Sequence, residues 1–491
     1  MNRRTLRAAS VALVLLFGGR LVLPPAVPAI TIQEEEELGR EFMKAVSGGF
    51  RFIRDPFVQE TIDRVGRRVL ATMPPQPFPY RFHMVQQDVY NAFAGPAGNV
   101  FVNSGLVEAM ETEDELAGIL AHEIIHVSAR HISRRIERSS RLSLGALAGM
   151  VAGIFLGAAG AGAAGNAVAM GSMAASQSIS LAYSRQDEMQ ADQLGIDHLT
   201  RAGYSGEGLL RILRKIRDKQ WHGPTDVPTY LMTHPAVDDR IAYLDAWMDR
   251  NPDAPKLPER DEDFRRFRIR LIAGYGDPGR AMSHMGREME KSPEDPIIQH
   301  GYGIALARND RNAEAIEHVR KALSRRPLDP ILLKDLGEIL FMGGHYAEAR
   351  KALAGSLGIG PDDYETLYLL GRTDIELERY AEAVETLERL LERWPNFPQA
   401  LYHLGEAHGR QKRMGDAHYY LGRYYAGRRD RANARFHLRR ALRFLDADAA
   451  RRAEAETLLA EVAGEIATER TEPIQRPRPV PFRPGFRSEF R

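Results

Sequence analysis

Residues 116–127 read Leu-Ala-Gly-Ile-Leu-Ala-His-Glu-Ile-Ile-His-Val, and this stretch determines the fold and the chemistry that we expect. His122 and His126 are four positions apart, so on an α-helix their side chains lie one above the other and can hold one metal ion. The carboxylate of Glu123 falls beside that ion, where it can take a proton from water. The flanking residues are apolar, which favours a buried helix over a solvated one. The stretch therefore predicts a metal-dependent peptidase.

A third protein ligand is expected, because a catalytic zinc ion takes three protein ligands and keeps one position open. Glu188 is the candidate, in a run that begins a predicted helix after a Gly/Ala-rich segment. Asp192 lies one turn further along the same face and can accept the other N–H of a liganding histidine. Asp187 is the competing ligand, but it points about 100° away from Glu188. Two histidines and a carboxylate favour Zn²⁺, with one ion per chain.

Short helices and strands precede the motif helix. Residues 38–46 and 57–72 have helical spacing, residues 80–85 alternate as a strand does, and residues 91–96 interrupt the pattern. Residues 99–103 form a second strand, at whose edge a substrate can add through backbone hydrogen bonds; the alternative is an ordinary edge strand of a small sheet. The candidate substrate-edge residues are Asn99, Val100, Phe101 and Val102. The layout predicts an α+β fold that is mainly helical.

A period of 34 residues begins after residue 264. Proline, glycine and alanine each recur at this spacing, at Pro293, Pro327, Pro361 and Pro395, at Gly303, Gly337, Gly371 and Gly405, and at Ala315, Ala349, Ala383 and Ala417. Three series with one period predict an α-solenoid that resembles tetratricopeptide repeats, over residues 256–447. Its concave surface is expected to bind protein; a rigid spacer or a self-association face is the alternative.

Residues 1–29 resemble a secretory signal peptide. Three arginines precede an uncharged stretch, and Val27 and Ala29 supply the short side chains of a cleavage site. An uncleaved anchor is the alternative, although the apolar run is too short to cross a bilayer. Cleavage after Ala29 removes four arginines and no acidic residue, which changes the formal charge from +1 to −3. A near-neutral chain does not favour nucleic acid as a partner, and the absence of cysteine excludes disulfides and thiol catalysis.

Residues 142–184 contain no charged side chain and are rich in glycine and alanine. The segment is long enough to span a membrane, but its small side chains gain little from lipid and instead permit close helix packing. We expect a helical hairpin over the catalytic domain, with peripheral contact to a membrane surface; membrane spans are the alternative. At the end of the chain, residues 448–470 are expected to form a helix and residues 471–491 a disordered Arg/Pro-rich tail.

The motif helix resembles that of the prenyl-protein endopeptidase and HtpX superfamily. Its histidines match the pattern HExxH, and the run from Glu188 to Asp192 matches the pattern ExxAD. Residues 91–94 and 101–106 match the run that precedes the metal helix in that superfamily. The resemblance implies a gluzincin-type zinc metalloprotease domain over residues 30–255, followed by the repeats.

In that superfamily, a His-Pro loop can place a histidine on the open zinc position and hold the enzyme inactive. His234 and Pro235, with Arg240 six residues after the histidine, match this loop. His234 is therefore a candidate fourth ligand and switch; a helix start with proline in its first turn explains the same residues. Arg240 is a candidate contact for the substrate or the developing oxyanion. His131 is expected to be structural, because helix geometry rotates it about 140° from His126.

Together these features predict a zinc-dependent endopeptidase that cleaves unfolded or misassembled proteins of the cell envelope. The repeats are expected to recruit substrates or the outer-membrane assembly machinery. The resemblance also implies a periplasmic location, quality control of β-barrel assembly and a chaperone-like activity. Two alternatives stay open: a periplasmic chaperone or scaffold whose peptidase site is largely latent, and a membrane-embedded protease that uses residues 142–184 as spans.

Overall fold

The computed structural model describes residues 30–134, 149, 152–153, 183–220, 229–257, 261–445 and 449–469. The predicted signal peptide, nearly all of the Gly/Ala-rich segment and the Arg/Pro-rich tail lie outside these residues. Within the described part of the chain, no helix is both long enough and apolar enough to cross a membrane. The predicted fold class is confirmed, because the described chain is mainly helical and carries one small sheet.

The sheet has the strand order β1-β2-β4-β3. Its strands are β1 (Phe52–Ile53), β2 (Arg81–Val85), β3 (Ala92–Ala94) and β4 (Asn99–Asn103). β4 pairs with β2 on one side, in parallel, and with β3 on the other, antiparallel, so neither of its edges is free. The prediction of a substrate-edge strand is therefore wrong for Asn99, Val100, Phe101 and Val102.

β3 takes the edge position instead. The sequence predicts that residues 91–96 interrupt the strand pattern. In the structure, the turn after Ala94 folds β3 back onto β4. The backbone N–H of Gly95 donates to the carbonyl of Asn99 at 2.7 Å, and Gly98 has φ +82°. Such a left-handed conformation suits glycine, which explains why the tight turn forms here.

Helices surround the sheet in the first part of the chain. They are α1 (Ile32–Ser47), α2 (Pro56–Leu70), α3 (Ser104–Glu108), α4 (Glu113–Ser128), α5 (Arg185–Arg201), α6 (Gly206–Gln220), α7 (Thr229–Thr233) and α8 (Val237–Arg250). α4, the motif helix, is buried from Glu113 to Val127 because it packs against α2, α5, α6 and the sheet. A Cβ on Gly118 would lie 2.8 Å from Cα of Leu209, so glycine allows the close approach of α6. The centre of the domain is therefore this apolar helix.

The second part of the chain is a run of helices, each packed on the next. They are α9 (Glu262–Tyr275), α10 (Pro278–Lys291), α11 (Pro296–Arg308), α12 (Asn312–Arg325), α13 (Pro330–Met342), α14 (Tyr346–Ile359), α15 (Tyr364–Glu376), α16 (Tyr380–Arg393), α17 (Pro398–Arg410), α18 (Met414–Gly427), α19 (Arg431–Phe444) and α20 (Ala449–Glu469).

The glycines of the 34-residue period stand where paired helices touch. A Cβ on Gly303, Gly337, Gly371 or Gly405 would lie 2.5–2.6 Å from a side chain of the next helix. The alanines of the period lie on the second helix of each pair and are buried. Small residues recur because each helix pair needs the same close approach, and the predicted repeat architecture is confirmed.

Buried charges join the two parts of the chain. Asp55 caps α2, accepting from the N–H of Phe57 at 3.0 Å, and its other carboxylate oxygen pairs with Arg270 of α9. Arg270 also pairs with Asp335 of α13 at 2.5 Å. Burial opposes ionisation of Asp335, but Arg270 and a hydrogen bond from His300 hold its pKa well below the usual range. The repeats are thus fixed to the first part of the chain through a guanidinium shared by two carboxylates.

Candidate metal centre

Four buried side chains converge between α4, α5 and the residue that follows α7. His122, His126, Glu188 and His234 each present one nitrogen or oxygen atom, and these atoms lie within 4.8 Å of one another. All four residues are at most 1% exposed. The structure thus brings together the three predicted ligands and the predicted fourth one, from segments separated by up to 112 positions in sequence.

The distances between these atoms fit a shared cation. Nε2 of His122 and Nε2 of His126 lie 2.9 Å apart, as expected for histidines one turn apart on α4. The carboxylate of Glu188 approaches them to 3.5 and 3.4 Å. Two imidazole nitrogens and a carboxylate oxygen are a donor set that divalent transition metals accept. The residues present therefore fit a metal ion.

Asp192 orients the ring of His122. Its Oδ1 lies 2.8 Å from Nδ1 of His122, and its Oδ2 accepts from Nε of Arg240 at 2.7 Å. Since Asp192 is an acceptor, Nδ1 of His122 carries the proton and Nε2 presents its lone pair to the cluster. Burial opposes ionisation of Asp192, but the charge of Arg240 lowers its pKa below the ordinary value. Asp192 therefore lies behind His122, one of the predicted ligands.

His131 orients the ring of His126. This contact was not predicted from the sequence. Nδ1 of His131 lies 2.9 Å from Nδ1 of His126, and its Nε2 lies 3.0 Å from Oε1 of Gln190. The amide oxygen of Gln190 accepts, so Nε2 of His131 carries the proton and its Nδ1 can accept from His126. Helix geometry pointed His131 elsewhere, but α4 ends at Ser128 and Arg130 has φ +55°. This turn brings the ring back to His126.

Arg240 lies behind the cluster. It is 1% exposed, and besides Asp192 its guanidinium pairs with Glu188 at 2.8 Å and approaches the hydroxyl of Tyr230 at 3.4 Å. Burial raises the pKa of Glu188, but His234 and Arg240 outweigh it and hold that pKa well below the usual range. Arg240 therefore holds the carboxylates of the centre in place. The sequence had suggested instead that it contacts the substrate or the oxyanion.

Glu123 lies beside the cluster without a hydrogen-bond donor. It is 0% exposed, neither carboxylate oxygen has a hydrogen-bond partner in the described part of the chain, and Oε1 is 3.4 Å from Nε2 of His234. Burial raises the pKa of this carboxyl group. An uncommitted buried carboxylate with a raised pKa is suited to accept a proton and release it again.

Tyr183 and the residues around His234 close the other side of the centre. The ring of Tyr183 stacks on His126 with centroids 3.6 Å apart, and its buried hydroxyl has no hydrogen-bond partner among the described residues. The N–H of Tyr183 donates to the carbonyl of Thr233 at 3.0 Å, and the N–H of Tyr230 donates to the carbonyl of Tyr90 at 3.0 Å. The segment that carries His234 is thus bound to residues on both sides of the centre.

Comparison with known proteins agrees with this geometry. Residues 53–248 match the family model of Peptidase family M48, and residues 300–364 and 368–425 match that of the tetratricopeptide repeat. The chain is 31% identical over 247 residues to the beta-barrel assembly-enhancing protease of Yersinia pestis, and 30% identical over 246 residues to that of Escherichia coli (strain K12). Each of these two matches covers 50% of this chain and 50% of the relative.

A more distant relative is the mitochondrial metalloendopeptidase OMA1 of Schizosaccharomyces pombe. It is 26% identical over 187 residues, which cover 38% of this chain and 52% of the relative. The chain thus spans about half the length of the curated relatives that it matches. The paired histidines of α4 lie inside the matched region, and so does Glu188. Residues 53–248 are therefore similar to peptidase family M48, and residues similar to tetratricopeptide repeats follow them in the chain.

Proposed function

We propose that this protein is a zinc-dependent endopeptidase of the cell envelope. The convergence of His122, His126 and Glu188 beside the uncommitted carboxylate of Glu123 carries the proposal. Relatives named as metalloendopeptidases and as beta-barrel assembly-enhancing proteases support it. Zinc, when bound by these three residues, supplies a Lewis acid for the scissile carbonyl.

The side chains around the ligands have separate tasks in this proposal. Glu123 takes a proton from the attacking water and delivers it to the leaving amine, for which its raised pKa is suited. The hydroxyl of Tyr183, buried and unpartnered, donates to the developing oxyanion. Asp192 and His131 keep Nε2 of each histidine free for the metal.

The substrate lies along the outer edge of β3. Asn91 and Gly95 bond with β4, so the backbone groups of Ala92 and Ala94 face away from it. No further strand joins this edge within the described residues. Ala92 and Ala94 are at most 1% exposed, so an extended segment can add there through main-chain hydrogen bonds once neighbouring residues are displaced. Unfolded or misassembled proteins present such segments and compact ones do not, which is why we propose them as substrates.

His234 holds the centre closed at rest. Its Nδ1 lies 3.0 Å from Oε1 of Glu188 and 3.4 Å from Nε2 of His122, which supports its role as a fourth ligand. The bond from Tyr230 to Tyr90 places the same segment next to β3. A substrate strand that reaches β3 would displace this segment and free the fourth position, so substrate binding itself opens the site.

The concave side of the repeats recruits the substrate or the outer-membrane assembly machinery in the periplasm. The repeat helices line a cavity of about 1300 Å³. Aromatic and arginine side chains line it, among them Tyr346, Tyr368, Tyr402, Tyr424, Arg308 and Arg372. These residue types dominate protein-binding energies, so the cavity suits a polypeptide partner and a chaperone-like activity.

The test is cleavage of casein, as an unfolded substrate, by the parent protein and by Glu123→Gln. Glu111→Gln is the matched control, because Glu111 is an exposed residue near the start of α4. Loss of cleavage in Glu123→Gln alone is expected. A closed centre with His234 among the ligands also favours a scaffold with a latent site as a second function. Cells in which Glu123→Gln fully supports outer-membrane protein assembly would favour that scaffold.

A further inference from the structure

α19 presents a basic and aromatic face to solvent. Its buried side, Ala434, Leu438 and Ala441, packs into the repeat array. The opposite side carries two rows of side chains at a spacing of four residues, which places them on one face of the helix. These six residues, the α19 face, are all exposed: Arg435, Phe436, Arg439, Arg440, Arg443 and Phe444. Phe436 is 50% exposed and Phe444 is 42% exposed, both large fractions for phenylalanine in a folded protein.

The arginines of this face have no carboxylate partner among the described residues. Nearby arginines outside the face do, since Arg423 pairs with Glu454 at 3.4 Å and Arg451 pairs with Asp416 at 2.5 Å. α19 itself contains five arginines and no acidic residue, in a chain whose formal charge is only +1. The positive charge of the face is therefore not neutralised within its own helix.

The phenylalanines lie among these charges. The guanidinium of Arg440 lies 5.6 Å from the ring centre of Phe436, and that of Arg443 lies 5.6 Å from the ring centre of Phe444. Phe436 and Phe444 are eight positions apart, or roughly 12 Å along the helix axis. Two apolar rings thus protrude from a helix surface with guanidinium groups between and beside them.

We propose that the α19 face binds the surface of a membrane that contains anionic phospholipid. Guanidinium groups bind phosphate with two parallel hydrogen bonds, and a helix with arginine and phenylalanine on its exposed side can lie in the headgroup region with its rings at the acyl boundary. The protruding apolar rings and the near-neutral charge of the whole chain favour lipid over nucleic acid. This site is independent of the metal centre, and it places the repeats against a bilayer.

The test is sedimentation of the full chain with vesicles made of equal parts phosphatidylglycerol and phosphatidylcholine, compared with pure phosphatidylcholine. Binding to the anionic vesicles alone, weakened by salt, is expected. Each arginine near an anionic surface contributes roughly fivefold to affinity, so four substitutions should weaken binding at least about 100-fold. The variant carries Arg435→Gln, Arg439→Gln, Arg440→Gln and Arg443→Gln. A second variant, with Phe436→Ala and Phe444→Ala, should bind more weakly than the parent and keep its dependence on salt.

The matched control removes four arginines that already have carboxylate partners on the catalytic domain. It carries Arg201→Gln, Arg211→Gln, Arg214→Gln and Arg217→Gln. This variant should sediment as the parent does. Equal loss in the control, or unchanged binding in the α19 variant, would overturn the proposal. So would binding that depends only on residues 470–491, or competition in which duplex DNA removes the protein from the vesicles.

Discussion

Nδ1 of His122 lies 2.8 Å from Oδ1 of Asp192, and neither side chain is exposed to solvent. Asp192 in turn is bound by Arg240, so the ring that would hold the metal is fixed by a buried ion pair. His126 has a neutral counterpart, since His131 and Gln190 occupy the same position behind its ring. Each of the two proposed metal-ligand histidines is thus oriented through its Nδ1 atom. The partner is a carboxylate for His122 and an imidazole for His126.

Asp192→Asn should weaken metal binding. The amide can still accept from His122 but carries no charge, and it leaves Arg240 with one carboxylate instead of two. Loss of such an outer partner typically lowers metal affinity by about 10–100-fold. Competition with a coloured chelator measures this affinity. Asp197→Asn on the same helix is the control, because the side chain of Asp197 is 48% exposed and pairs with Arg201; equal affinities in both variants would contradict the role of Asp192.

His131→Ala should also weaken metal binding, by about tenfold or more, because Nδ1 of His126 loses its acceptor and the ring its fixed tautomer. The same chelator competition measures the loss. His198→Ala provides a matched histidine, since His198 contacts Thr72 away from the centre. A His131→Ala protein that retained metal as well as His198→Ala would show that His131 only fills space.

His234→Ala should increase the rate of cleavage. If His234 occupies the fourth position at rest, only the fraction of parent molecules in which it has moved away can cleave substrate. Removal of the side chain then raises the rate by the inverse of that fraction, which is about tenfold when a tenth of the molecules are open. Initial rates on casein give the comparison, with the exposed His345→Ala as control. An unchanged or lower rate with metal content preserved would contradict the switch.

Arg270→Met should destabilise the junction between the two parts of the chain. The substitution leaves Asp55 and Asp335 buried without their shared cation, and breaking a buried pair in this way costs about 3–5 kcal/mol in the free energy of unfolding. Urea denaturation measures the change. Arg280→Met removes an exposed pair with Asp88 across the same junction and should cost less than about 1 kcal/mol. Similar losses of unfolding free energy in both variants would contradict the claim that the buried pairs of Arg270 stabilise the protein more than the exposed pair of Arg280.

The same network should make the junction sensitive to acid. Burial opposes ionisation of Asp55 and Asp335, but Arg270 holds the pKa of each below its ordinary value. A carboxylate with a lowered folded-state pKa contributes stability above its unfolded pKa of about 3.9, and that contribution is lost as the pH falls below it. Unfolding measured between neutral and acid pH should show a steeper loss in the parent than in Arg270→Met, and equal slopes would refute this assignment.

The spacing of residues along the chain was enough to predict part of the metal centre and the repeat architecture. The four-residue interval between His122 and His126 and the 34-residue period of the repeats both describe local geometry, and both lead directly to the observed packing. Glu188 comes from a separate helix, and it was predicted from the need for a third ligand and its spacing from Asp192, with the resemblance to known metal helices as further support.

The wrong or missed predictions concern residues next to turns, where the backbone is neither helical nor extended. The turn after Ala94 makes β3 the edge strand and moves β4 to the interior of the sheet, which no alternation of side chains reveals. The positive φ of Arg130 brings His131 back onto His126, which helical geometry alone excludes. Such positions are set by packing against distant parts of the chain.

Anomalous diffraction at the zinc absorption edge, on crystals of the protein purified without added metal, tests the central claim most directly. The account predicts one zinc peak per chain, within bonding distance of Nε2 of His122, Nε2 of His126 and a carboxylate oxygen of Glu188. Absence of a peak there in a protein that nevertheless cleaves casein, or a peak elsewhere in the chain, would contradict it.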